Sequence, residues 1–172
     1  DLEYLESVLA EIAQAETEQD FLDIRAELRE AGFLKKQGKG KKDKSRPAAP
    51  WEFRTSSGLR VLVGRNNRQN DKLTLKDADR RDLWLHTQKI HGSHVILRCA
   101  GQAPAEEDIV QAAMLAAWFS QARESGNVPV DYTEVRNVKK PAGGRPGMVI
   151  YTTCRTVNVT PEEAAVKRLR VK

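Results

Sequence analysis

The sequence predicts an α+β fold with a mixed or antiparallel sheet and one long packed helix, preceded by a short helical remnant of a coiled coil. Three observations lead there. Apolar residues recur at helical spacing up to residue 31, period-two alternation begins at Trp51, and an Ala-rich helical segment over residues 106–124 interrupts the strands. Of the 172 residues, 40% are hydrophobic and 31% charged. That balance describes a soluble globular protein, and no apolar run approaches the roughly 20 residues of a membrane span. The acidic, amphipathic start DLEYLESVLAEI is no secretory signal, and the absence of an initiator Met suggests a piece of a longer protein.

In chain order, Leu2, Leu5, Leu9 and Ile12 follow the spacing of a coiled-coil or helical-hairpin seam, or of a surface helix packed on its own domain. Around TEQD the pattern restarts, with Thr17 or Asp20 as caps, and Phe21, Leu22, Ile24 and Leu28 give a second helix that stops at Gly32. This predicts a helical unit over 1–34. Residues 35–50 begin KKQGKGKKDKSR and end in RPAAP, which predicts a flexible basic linker, either merely solvated or in non-specific phosphate contact.

From Trp51 to residue 172 the chain reads as one α+β domain. WEFRTSSGLRVLVG predicts a hairpin turning at Ser56-Ser57-Gly58. Asn70 or Asp71 is expected to cap a short helix through KLTLKDA, and RRD to turn into the strand LWLHT. HVILRCA, VDYTEVRNV and GMVIYTTCRTVNV supply further strands. The helix over 106–124 has an acidic first turn and Gly126 beyond its end. Cys99 and Cys154 lack CxxC spacing, so two buried free thiols in a reducing cytoplasm are expected.

Charge divides along the chain. Residues 1–34 hold ten Asp or Glu against Arg25 and Arg29, a balance of −8, whereas the rest of the chain is basic enough to bring the total to +5. A basic domain attracts polyanions through its long-range field. Two loops concentrate the relevant groups. GRNNRQND, residues 64–71, is either a recognition surface or a hydrogen-bonded turn; KKPAGGRPG, residues 139–147, sets Lys139, Lys140 and Arg145 around glycines that allow close backbone approach. If the sheet brings both loops to one edge, they form a cationic surface with amide donors. The GxxxxGK[ST] spacing of a P-loop is absent, and no cofactor is expected.

DLWLHTQKIHGSHVIL contains all three histidines. In a strand, Asp82, Trp84 and His86 share one face and Leu83 and Leu85 the other. A metal site from His86, His91 and His94 lacks a recognised ligand spacing, and a triad of Ser93, a histidine and Asp82 lacks a nucleophile elbow. A structural role is expected for His94, and no catalysis.

Three strings, "LVGRNNRQNDKLTL", "DLWLHTQKIHGSHVIL" and "YTEVRNVKKPAGGRPGMVIYTTCRTVNVTP", closely resemble the NFACT-R domain of the RqcH/NEMF family, also described as FbpA-type fibronectin-binding proteins. The resemblance covers residues 51–161, and the leader resembles the end of that family's coiled-coil arm. It implies an RNA-binding, non-catalytic module of ribosome-associated quality control, which engages large ribosomal subunits carrying stalled peptidyl-tRNA and supports alanine tailing. The implied partners are the large subunit, rRNA or tRNA, and the protein's own N-terminal domains, in the cytoplasm and without a membrane. The tailing residues of the family belong to those N-terminal regions, so none transfers here. A fibronectin-binding surface adhesin is the alternative.

The resemblance implies Arg65, Asn66, Asn67, Gln69, His86, Lys139 and Lys140 as RNA contacts, and the charge of the two loops adds Arg68 and Arg145 to the expected set. Asn70, Asp71, Asp82, Trp84, Gly92, Ser93, His94, Pro141 and Gly147 are the expected structural positions. His91 stands where many relatives have Pro, and is not read as a family ligand. Replacing Arg65 and Arg68 by Ala is expected to weaken RNA binding without lowering the melting temperature.

Overall fold

The computed structural model describes residues 1–36, 38 and 45–171. Residues 37 and 39–44 of the expected basic linker lie outside the described residues.

The chain opens with a hairpin of two helices, α1 (Leu2–Gln14) and α2 (Glu18–Glu30). Asp1 caps α1 by accepting from Tyr4 N at 3.2 Å. At α2 the cap is reciprocal: Asp20 N donates to Thr17 Oγ1 at 3.2 Å, and Thr17 N donates to Asp20 Oδ2 at 3.1 Å. Gly32, at φ +86°, turns the chain out of α2. The buried face of α1 is not the expected Leu2-Leu5-Leu9-Ile12 seam. Tyr4, Val8 and Glu11 turn inward, while Leu2 and Leu9 are 74% and 65% exposed. The rotation follows from what α1 must reach: Tyr4 and Val8 meet Ile24 of α2 in a small apolar cluster, and Glu11 meets the domain behind it.

The sheet has six strands, β1 (Trp51–Arg54), β2 (Arg60–Val63), β3 (Leu83–Thr87), β4 (Val95–Leu97), β5 (Val128–Glu134) and β8 (Arg155–Val159), in the order β1-β2-β4-β3-β5-β8. Each neighbouring pair is antiparallel. A separate ladder joins β6 (Val138–Lys139) to β7 (Ile150–Tyr151). On one face lies α4 (Glu106–Trp118), with α5 (Glu163–Leu169) beside it; α5 falls outside every element expected from the sequence. Strand alternation sorts the side chains: Val61, Val63 and Leu85 join the α4 core, whereas Leu62 and Trp84 point to the opposite face. Each large apolar side chain so buried contributes about 1.5–3 kcal/mol.

Over the second face runs α3 (Asn67–Lys72), which continues as a π-helical turn over Leu73–Asp77. Two expectations change here. The helix begins before Asn70 and Asp71, because the side chain of Asn66 accepts from Gln69 N at 2.8 Å and so serves as the cap. The long helix stops at Trp118 rather than 124. Phe119 O instead accepts from Ser93 N at 2.9 Å, and Gln121 N donates to His91 O at 3.0 Å, so the chain leaves the helix to bridge to the 91–93 segment. Cys99 is buried as expected; Cys154, expected to be buried, is exposed just before the edge strand β8.

Candidate nucleic-acid interface

The amide-rich loop is largely consumed by its own architecture. Gln69 Oε1 accepts from Arg65 N at 2.7 Å, and its Nε2 donates to Ala48 O at 2.7 Å. Asn70 Oδ1 accepts from His94 N at 3.1 Å, which needs the bare backbone of Gly64, since a Cβ there would collide with the Asn70 side chain. Asp71 faces outward from α3 and performs a task the sequence did not reveal. Its Oδ1 accepts from Gly147 N at 3.0 Å, and its Oδ2 from Lys140 Nζ at 2.8 Å. Those two bonds fasten the 139–147 loop to GRNNRQND.

Three further contacts tighten that junction. Gly147, at φ +83°, sits against Asn67 where a Cβ would clash. Lys140 Nζ also donates to Arg145 O at 2.5 Å, across the turn that Pro141 and Gly144 close with a 3.0 Å backbone bond. His94 Nε2 lies 3.1 Å from Gly147 O, and its Nδ1 lies 2.8 Å from Thr74 Oγ1. A neutral ring that donates from Nε2 and accepts at Nδ1 satisfies both. Burial drives its pKa down to about 3, with nearby His86 adding to the effect. Both ring nitrogens of His94 are thus engaged within the fold, between α3 and the 139–147 loop.

His86 departs from its expected place among the RNA contacts. Its Nδ1 is 2.7 Å from Thr87 O and its Nε2 is 3.2 Å from Gly92 O, so both nitrogens face backbone carbonyls. Burial lowers its pKa as well. Its ring lies parallel to Trp84 at 5.7 Å between centroids. Gly92 allows the chain to pass Ser120, whose Cβ would be 2.8 Å from a Cβ at that position. Asp82, fully buried, accepts from Asp79 N and Ala100 N at 2.9 and 2.8 Å and pairs with Arg98 at 3.0 Å, which organises the turns flanking β3. Among the described residues, no group of three or more His, Cys, Asp or Glu is arranged to hold a metal ion.

The three expected arginines meet carboxylates from the helical hairpin. Arg65 Nη1 lies 3.1 Å from both carboxylate oxygens of Asp20; its Nε donates to Ala49 O at 2.6 Å and its guanidinium stacks over Trp51 at 4.8 Å. Arg68 pairs with Glu30 at 3.1 Å, and Arg145 with Asp1 at 3.4 Å. Arg145 also lies over the rings of Tyr4 and Phe33. Even the backbone is engaged: Asn67 N donates to Glu11 Oε1, and Arg68 N to Glu27 Oε1 at 3.2 Å. Arg65 thus holds a buried carboxylate, so its replacement is expected to cost stability, which differs from the expectation from sequence.

Glu11 and Glu27 lie side by side beneath the hairpin. Burial raises the pKa of both, and for Glu11 the neighbouring Glu27 raises it further. Tyr4 Oη donates to Glu27 Oε2 at 2.5 Å. Among the described residues, Glu11 Oε2 and Trp84 Nε1 are buried side-chain atoms without a hydrogen-bond partner. Between α1 and the second sheet face lies a cleft of about 320 Å³, bordered by Tyr4, Glu11, Asn67, Trp84, His86 and Arg145.

Sequence and structure comparisons agree on a family. Residues 50–152 match the NFACT protein RNA binding domain. The chain is 45% identical over 99% of its length to the Rqc2 homolog RqcH of Bacillus subtilis, and 41% identical over 98% to that of Streptococcus suis. In both cases it spans only 30% of the relative's length. The solved C-terminal part of the fibronectin/fibrinogen-binding protein from Streptococcus suis superposes with a TM-score of 0.92 at 39% identity, covering 99% of this chain and 67% of that one. With its antiparallel sheet, its packed helix and its two fastened loops, the chain belongs to the NFACT RNA-binding domain family.

Proposed function

We propose that this chain is an RNA-binding, non-catalytic module that attaches a ribosome-associated quality control protein to RNA of the large ribosomal subunit. The observation that carries the reading is the junction at Asp71, which joins two cation-bearing loops into one surface within a domain of an RNA-binding family. On that surface Lys139 is exposed, and the side chains of Arg68 and Arg145 remain 44% and 40% exposed despite their acidic neighbours. Guanidinium and ammonium groups so presented suit phosphate oxygens, with Arg supplying directional, two-pronged donors. Support for alanine tailing and engagement of stalled subunits belong to the same proposal, as activities of the longer protein.

The test is binding of the chain to purified large subunits at two salt concentrations, with fibronectin in parallel because a relative bears that name. Saturable subunit binding that weakens steeply with salt and is reduced by Lys139→Ala with Arg145→Ala is expected. Salt-indifferent binding, or preference for fibronectin, overturns the reading.

A further inference from the structure

The hairpin that covers the interface is attached in an unusual way. Its apolar cluster, Tyr4, Val8 and Ile24, is private: neither of the two clusters of the sheet domain contains a residue from α1 or α2. Among the described residues, hairpin and domain are joined by ion pairs and hydrogen bonds, mostly from carboxylates, together with Arg145 over the rings of Tyr4 and Phe33. Interfaces of that composition are the kind that open, because separation exposes little apolar surface and returns charged groups to water.

Each carboxylate sits where a phosphate oxygen fits. Asp20 and Glu30 are on guanidinium groups, and Glu11 and Glu27 are on the adjacent amides of Asn67 and Arg68. The docked state also carries a cost of its own, since Glu11 and Glu27 crowd together and Glu11 Oε2 is buried without a partner. At the turn between α1 and α2 the attachment differs. Glu16 takes Arg170 at 2.6 Å and Trp51 Nε1 at 3.1 Å, and Gln14 Nε2 donates to Ser120 O at 3.1 Å. The turn is held by the β1 edge and the segment after α4, whereas the open ends of the helices rest on Arg68 and Arg145.

We propose that the α1–α2 hairpin is a detachable acidic cover that swings about its turn, and that an RNA strand occupies the face beneath it, exchanging phosphates for carboxylates on Arg65, Arg68 and the amides of Asn67 and Arg68. This rests on the RNA-binding reading above and adds that the protein competes with its own ligand. Without RNA the closed state prevails, and a high local concentration of phosphate opens it.

The experiment uses the 172-residue chain and a fluorescent 20-nucleotide poly-U RNA. One variant, Glu27→Lys with Glu30→Lys, sets the hairpin against Arg68 and its amide while leaving the Thr17–Asp20 cap intact. The control, Glu3→Lys with Glu18→Lys, makes the same change in net charge on exposed hairpin positions. The inner variant is expected to bind at least ~10-fold more tightly than the control, which corresponds to about 1.4 kcal/mol. Hydrogen exchange on the unaltered chain gives a second readout, in which RNA is expected to accelerate exchange across residues 2–30. Equal affinity of the two variants, or RNA binding that leaves hairpin exchange unchanged, overturns the cover. Absence of RNA binding by all three proteins overturns the RNA-binding reading itself, and a gain in fibronectin binding alone by the inner variant overturns the choice of ligand.

Discussion

On the α4 face of the sheet, Phe53, Leu85, Leu97, Leu115 and Phe119 are wholly buried among apolar neighbours, and Trp51 stacks on Phe119 at 4.4 Å. Across the sheet a smaller apolar layer around Trp84 and Leu73 gives way to His94, Asn70, Asp71 and a roof of hairpin carboxylates. The first face is held by area removed from water, which salt does not screen and protonation does not alter. The second is held by hydrogen bonds and charges, whose net worth depends on both. Stability of the fold therefore resides mainly on one side and responsiveness on the other, and substitutions should separate them.

The largest expected effect is on the α4 side. Phe119→Ala removes a fully buried ring that contacts both Trp51 and Phe53, and should cost about 3–5 kcal/mol of global stability. The urea midpoint measures it. A loss confined to the hairpin, with the midpoint unchanged, would contradict the division between the faces.

Arg65→Ala comes next and should behave in the opposite way. It leaves Asp20, only 2% exposed, without its guanidinium. Breaking a buried pair costs about 3–5 kcal/mol when the charge stays buried, but here the hairpin can open and rehydrate the carboxylate. The loss is thus capped by the docking free energy. Exchange should rise across residues 2–30, and the urea midpoint should move less than for Phe119→Ala.

Titration sharpens the contrast further, because two buried clusters on the second face have opposite signs. His94 has a folded pKa near 3, below its ordinary value, so the neutral ring's contribution is complete above the unfolded pKa and is lost as pH falls through the interval down to 3. Stability should decline by up to ~1.4 kcal/mol per pH unit in that window. Glu11, facing Glu27, Tyr4 and the Asn67 amide, has a raised pKa, so its contribution to hairpin docking is present at low pH and disappears as pH rises above the ordinary carboxylate range. Acid should loosen the 139–147 loop, and base the hairpin. NMR shifts of the Asn67 and Arg68 amides against pH follow the second process, which Glu11→Gln should flatten.

Much of this was legible in the sequence where a residue's role is local. Period-two alternation located the first hairpin, the TEQD segment offered Thr17 or Asp20 as the cap, of which the fold uses Thr17, and the three long family strings identified the domain. GMVIYTTCRTVNV, by contrast, divides between the β6–β7 ladder and the main sheet. The roles that escaped are those decided by partners distant in the chain. Asn66 rather than Asn70 caps α3, since the same residue types occur at four neighbouring positions and only the backbone path selects among them. Asp71 reads as a capping residue until Lys140 and Gly147 are brought to it. The excess of acid in residues 1–34 and of base after them was visible as composition, yet it does not say that one covers the other. Only the fold set Asp20 on Arg65 and Glu30 on Arg68.

The smallest expected effect on stability tests the interface most cleanly. Lys139 lies exposed on β6, beside the loop that Asp71 fastens, and its side chain supports neither core. Lys139→Ala should change the urea midpoint by no more than about 0.5 kcal/mol. If its ammonium meets a phosphate, the same substitution should lower the slope of log affinity against log salt by about 0.7, the share of one contact to a single strand. Arg65→Ala perturbs hairpin and ligand together, whereas Lys139→Ala perturbs the ligand alone. An unchanged slope with unchanged stability would therefore remove Lys139 from the RNA surface and confine that surface to the ground beneath the hairpin.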